Sequence, residues 1–279
     1  EDTLSLHDAL PIFAPDGTQV AGVSSSLFST FNAVAPSEQW QETVLRAFQT
    51  WPVQTNGGIG VVSDSGAAFG APGASRGDLR FGDIRIGAAP LATGAFAIAI
   101  PASDVLSGTW VGDVIFNSNA ALSSLDDIFA VAVHEAGHIF GLEHSADPSS
   151  PMHVHGITPA TTPTAGDILD LQRLHGAPQP DFNELNKSND AIDDATHLQL
   201  DSVGLAPEGS APTVLYGAIS TDADRDYFRF QAPGDYGGLA TFVLRTKGIS
   251  LLAPQLSLLD DNGNVVELRS SARIDVPKN

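Results

Sequence analysis

Apolar residues recur at helical spacing at Trp40, Val44, Phe48 and Trp51. Residues 36–51 are therefore predicted to form a helix that turns these side chains to a core. Pro36 and Ser37 supply the start signal, with Ser37 as N-cap. Residues 57–76 are rich in Gly, Ser and Ala and read as loop. Residues 79–81 and 83–86 alternate as half-buried strands do, and 91–100 and 110–116 are further strand candidates. A helix is predicted over 126–140, opening on an Asp pair that suits the helix macrodipole. A second amphipathic helix is predicted over 166–174, with Ile168, Leu171 and Leu174 on one side and Gly176 as its stop.

Beyond this point the pattern changes. The stretch GAPQPDFNELNKSND is polar and proline-containing and reads as a linker. After it come short alternating runs, such as 227–230 and 239–244, separated by turn signals such as Asp261-Asn262-Gly263-Asn264. That spacing predicts an all-β sandwich. The chain thus divides into a lead over 1–19, a first domain over 20–177, a linker over 178–190 and a β-sandwich over 191–279, whole or truncated. Within the lead, residues 3–12 (TLSLHDALPI) resemble one reading frame of a sequencing-library adapter. The lead is therefore read as an artefact or an unstructured segment, and His7 carries no weight.

The 279 residues suffice for two modest cores, and 42% hydrophobic content fits a globular chain. No apolar run reaches the length of a membrane span. The net charge of −20 argues against nucleic-acid or anionic-membrane partners. The same acidity makes oxygen ligands for calcium available. There is no cysteine, so disulfides, thiolate metal sites and cysteine nucleophiles are excluded, and any zinc must take His, Asp or Glu.

Chemistry concentrates in residues 134–144, HEAGHIFGLEH. On a helix, His134 and His138 share a face and can ligate one metal. Glu135, one position on, leans beside that metal and can accept a proton from a zinc-bound water. His144 does not fit the same face. Gly141 resolves this by taking a left-handed conformation, ending the helix and folding His144 back. Three imidazoles and one open position are the layout of a catalytic zinc site. Asp222, Asp224 and Asp226 have calcium-like spacing, but no Gly follows at the sixth position, so an acidic turn is the preferred reading.

The HExxHxxGxxH string resembles the metzincin metalloprotease signature, and His144-Ser145 resembles its matrixin branch. Met152, the chain's single methionine, stands eight residues after His144 at the offset of the matrixin methionine turn. DILDLQRLHG over 167–176 is similar to the closing helix of that domain, and the Trp51 helix, DIRI and GDVIFNS are similar to bacterial matrixin-like sequences. The resemblance implies an α+β fold over roughly 20–176, with a twisted mixed β-sheet and about three helices. It implies one catalytic Zn2+ held by His134, His138 and His144, catalysis by Glu135, and supporting roles for Gly141 and Met152. Val154 stands where tyrosine-ligand branches carry Tyr, so those branches are disfavoured. His7 is the only histidine upstream of the motif, so a second, structural zinc is not expected, and no Cys exists for a latency switch.

His153 and His155 are read as pocket-wall or exposed residues, and His175 and His197 as structural or surface residues. The segment from NDAIDDATHL to LSLLDDNGN resembles a bacterial pre-peptidase C-terminal domain, which accompanies secreted peptidases. The expectation is a secreted, extracellular, monomeric zinc endopeptidase of bacterial type. Its partners would be protein or peptide substrates pairing with an edge strand within 91–100. The rival reading is a non-enzymatic extracellular binding or adhesion module with a structural or vestigial zinc site.

Overall fold

In the computed structural model the described residues are 11–56, 64–73, 83–101, 105–153, 160–198, 217–219, 224–231, 240–244, 255–269 and 273–276. His7, the strand expected at 79–81, Val154, His155 and Asp222 lie outside them. By its internal contacts the chain divides into two compact units, which part after Ala177.

Among the described residues the first unit is built on a four-stranded sheet. Its strands are β1 (Pro11–Phe13), β4 (Ile84–Ala89), β5 (Ala97–Ala99) and β6 (Val114–Asn117), in the order β1-β4-β6-β5. β1, β4 and β6 are parallel, and β5 closes the edge antiparallel to β6. A small hairpin, β2 (Gln19–Val20) with β3 (Val23–Ser24), precedes the helices. Within the segment read as an artefact or lead, Pro11–Phe13 is thus a strand, and Ile12 and Ala14 are buried. Strand pairing runs through the backbone, so a segment with no helical or alternating signature can join a sheet edge.

Two strands are shorter than their sequence patterns. Only Ala97–Ala99 of 91–100 pairs. The residues before it are held by the Asn117 side chain, which accepts from Leu91 N (3.0 Å) and donates to Ala95 O (2.7 Å). β6 begins at Val114 rather than 110 because Gly112 turns the chain at φ +88, where a β-carbon would stand 2.1 Å from Asp83 O. The alternation read at 83–86 also fails, since β4 is buried throughout. Arg85 is only 1% exposed. Its guanidinium donates to Asp64 (3.0 and 3.2 Å), Ala67 O (2.6 Å) and Ala68 O (3.2 Å), and lies 4.3 Å from the Phe69 ring centroid. A charge so fully paired can be buried in a strand that reads as half-polar.

Among the described residues four α-helices cover this unit: α1 (Leu27–Asn32), α2 (Ser37–Gln49), α3 (Leu125–Ile139) and α4 (Ala165–His175). α1 is too short to leave a periodic signal. The helix predicted at 36–51 is α2, with Trp40, Val44 and Phe48 buried. Its cap is Pro36, not Ser37, because Ser37 is already helical and its hydroxyl donates to Asn32 Oδ1 (2.7 Å). The same oxygen accepts Trp40 Nε1 (2.8 Å), joining α1 to α2. α3 starts one residue before the Asp pair, at a capping box. Ser124 Oγ accepts from Asp127 N (3.1 Å), and Asp127 Oδ2 accepts from Ser124 N (3.1 Å). α2 and α3 pack across a core that includes Phe31, Trp51, Ile86, Phe116, Val131 and Phe140.

The second unit contains, among the described residues, three two-stranded pairs. These are β7 (Thr196–Leu198) with β8 (Phe228–Phe230), parallel; β9 (Ala240–Val243) with β12 (Arg273–Val276), antiparallel; and β10 (Leu256–Leu259) with β11 (Val265–Arg269), antiparallel. The predicted turn joins β10 to β11, with Asp260 Oδ1 accepting from Asn262 N (2.9 Å) and Asn264 N (2.8 Å). The stretch read as linker groups with this unit from Pro178 onward, and it buries Glu184 and Asn189. Its Asp and Asn side chains form local turns, as Asp181 Oδ1 does with Asn183 N (2.6 Å), so a loop composition accompanies a fixed path.

Candidate metal centre

α3 carries His134, Glu135 and His138 in its last two turns. One ring nitrogen of each of His134, His138 and His144 lies within 4.8 Å of those of the other two. The ring centroids are 4.7 to 5.2 Å apart. The helix ends at Ile139 with Phe140 as its C-cap, and Gly141 follows at φ +92, in the left-handed region where a side chain is strained. Gly141 N donates to His138 O (3.0 Å) and Leu142 N to Gly137 O (2.9 Å), closing the turn that returns His144 to the other two rings.

The tautomers follow from the neighbours. His134 Nδ1 stands 2.8 Å from Pro151 O, and His138 Nδ1 stands 2.8 Å from Leu142 O. A carbonyl oxygen can only accept, so each Nδ1 carries the proton and each Nε2 presents a lone pair. Burial pushes the His138 imidazole down to about 4 and lowers that of His134. Both rings are therefore neutral at pH 7, as metal ligation requires. The two Nε2 atoms are 3.2 Å apart. Two lone pairs at that distance repel unless a cation lies between them, so the donor set fits a zinc ion. Glu135, only 6% exposed, is pushed up to about 7 by burial.

The floor of the site is Met152, which is fully buried. A β-carbon at Gly137 would stand 2.2 Å from Met152 Sδ and 3.2 Å from Trp51 Cζ2. The turn holding Met152 is tied on both sides. Met152 O accepts from Ser145 N (2.8 Å). Met152 N donates to Ser150 Oγ (2.9 Å), and that hydroxyl donates to buried Asp167 Oδ1 (2.8 Å) at the start of α4. Trp51 Nε1 donates to Val133 O (2.8 Å) from beneath α3. An open cleft of about 360 Å³ adjoins the imidazoles, lined by Pro101, His138, Gly141, Leu142, Glu143 and His144.

Of the remaining histidines, His153 is half-buried with Nδ1 3.2 Å from Ser145 O. His175 Nε2 is 2.7 Å from Phe140 O, and His197 is exposed. Sequence reasoning read Trp51 only as a core aromatic and passed over Gly137, Ser150 and Asp167. A glycine inside an otherwise strong helical run was a usable signal at 137. The other three act through partners distant in sequence.

The Matrixin family profile matches residues 25–176, more than half of the chain. Matrix metalloproteinase-16 of Rattus norvegicus, Homo sapiens and Mus musculus is in each case 39% identical over 56 residues, 19% of this chain. The match covers 9% of the length of those relatives.

Proposed function

The chain belongs to the matrixin family, and from that membership we propose that it is a zinc-dependent endopeptidase that hydrolyses peptide bonds in protein or peptide substrates. The observation that carries this reading is the convergence of His134, His138 and His144, with Nδ1 of the first two fixed on carbonyl oxygens. These three imidazoles would hold the ion. When bound, zinc supplies Lewis acidity that acidifies water and polarises a carbonyl.

Glu135 is the general base. Burial pushes its carboxyl up to about 7 in the metal-free site, which favours proton uptake. It takes a proton from the attacking water and returns it to the nitrogen of the leaving amine. Gly141 is the hinge that delivers His144, and Met152 supports the ligand helix from below. Substrate would lie extended along β5, an edge strand among the described residues, with its backbone in β-pairing.

The reading extends to a secreted, extracellular, monomeric enzyme of bacterial type, with residues 191–279 as a sandwich-like accessory domain. The acidic composition and the resemblance of the C-terminal segment support it. A peptide library incubated with the full chain, with 1,10-phenanthroline and after zinc is restored, tests the activity. Cleavage that stops with chelator and returns with zinc is expected. Cleavage that ignores the chelator contradicts the proposal.

A further inference from the structure

The second unit holds a cluster of acidic side chains that the proposed peptidase chemistry does not use. Glu184, Asp190 and Asp224 each offer a carboxylate oxygen, and the three oxygens lie within 4.8 Å of one another. Glu184 is 9% and Asp224 8% exposed, so two of the three are taken from water. Two further carboxylates crowd in. The Oδ2 atoms of Asp181 and Asp226 lie 3.1 and 3.0 Å from the β-carbon position of Gly217, so both approach the same point. Asp226 is pushed up to about 6, first by burial and then by the charge of Asp181, with Asp224 and Glu184 adding to it.

Asn189 gives an independent sign of a missing partner. It is 1% exposed. Its backbone N–H donates to Glu184 Oε1 (3.5 Å) and the next residue is Asp190, so it sits against two members of the cluster. Its Nδ2 is turned to Thr196 Oγ1 (3.2 Å) and Tyr227 O (3.4 Å). Its Oδ1 accepts from no donor among the described residues. An amide oxygen buried without a donor gives up its hydration with nothing in return. A cation beside it would satisfy that oxygen and the crowded carboxylates together.

We propose that Glu184, Asp190 and Asp224, with the amide oxygen of Asn189, form a calcium-binding site that ties residues 181–190 to the segment entering β8. The donors are all oxygen, which selects a hard cation over zinc. Two oxygens on one calcium ion, each at about 2.3–2.6 Å, can stand at most about 5 Å apart, and these three meet that limit. Water completes the shell. Asp190 is the exposed member, so the ion has a route in from solvent. The ligands differ from the Asp222, Asp224 and Asp226 pattern of the sequence. Asp224 is shared, but its partners come from the stretch that reads as a linker.

The test uses the full chain, stripped of metal and reloaded with zinc so that the first unit is unaffected. Calcium is titrated by calorimetry into wild type, Asp190→Asn, Glu184→Gln and Asp193→Asn, the last exposed and outside the cluster. Wild type is expected to show a calcium-binding event that weakens about tenfold or more in Asp190→Asn and Glu184→Gln. Asp193→Asn should match wild type. Calcium should also protect 178–190 from limited proteolysis in wild type. If Glu184→Gln fails to fold, the exposed Asp190→Asn carries the comparison. The proposal is overturned if wild type shows neither heat nor protection. It is equally overturned if Asp190→Asn keeps wild-type affinity, or if Asp193→Asn loses as much as Asp190→Asn.

Discussion

Gly137 lies directly over the sulfur of Met152: a β-carbon there would stand 2.2 Å from Sδ and 3.0 Å from Cε. Gly137 sits between the two helical histidines in sequence, and Met152 follows the residue whose carbonyl fixes His134. The contact couples the helix of His134 and His138 to the turn that holds Met152.

Gly137→Ala should therefore destabilise the fold, although alanine is the better helix former by about 1 kcal/mol. Overpacking of a filled core costs about 1–3 kcal/mol and should outweigh that gain. Urea denaturation together with zinc content checks this. Both should fall, and a second change, Met152→Ala, should recover part of the loss. Unchanged stability in Gly137→Ala would mean that the contact relaxes freely.

Asp113 gives the first unit a pH dependence. It is 1% exposed, and burial raises its carboxyl from an ordinary 3.8 to about 8 against the opposing charge of Arg85. The folded state thus binds more protons than the unfolded state between those values. The stabilising contribution is complete below the unfolded pKa and is lost as pH rises through the folded one. Wild type should lose stability relative to Asp113→Asn between about pH 4 and 8, measured as the difference in urea midpoints. Parallel midpoints across that window would remove Asp113 as the cause.

His175 holds the carbonyl of Phe140 at 2.7 Å, and Leu174 stands against Gly141 (3.2 Å from its β-carbon position). The end of α4 thus braces the turn that delivers His144. His175→Ala should cost about 1 kcal/mol and speed zinc release, and His175→Gln, which can still donate, should restore most of both. A loss of stability with zinc release unchanged would restrict His175 to a general packing role.

The convergence of the three imidazoles was legible because it is local. Four-residue spacing on a helix puts His134 and His138 on one face, and a glycine three residues later permits the turn that brings His144 back. What fixes these groups was not legible. Trp51 reaches Val133 across 82 positions, and Ser150 reaches Asp167 across 17. Neither residue type announces its partner. Arg85 shows the same limit in the fold, since its alternating pattern implied a half-exposed strand until Asp64 and the carbonyls of Ala67 and Ala68 covered it. The strand expected at 91–100 shortened because one side chain, Asn117, took the hydrogen bonds that a longer ladder would have used.

The most direct measurement is the Glu135→Gln variant, with its zinc content and its cleavage of a peptide library measured on the same sample. The amide that replaces the carboxylate is not a proton acceptor, and the three imidazoles are untouched. The expected result is wild-type zinc content with cleavage reduced by about two orders of magnitude or more. Full cleavage by a zinc-loaded Glu135→Gln protein would contradict the assignment of Glu135 as the base and the peptidase mechanism built on it.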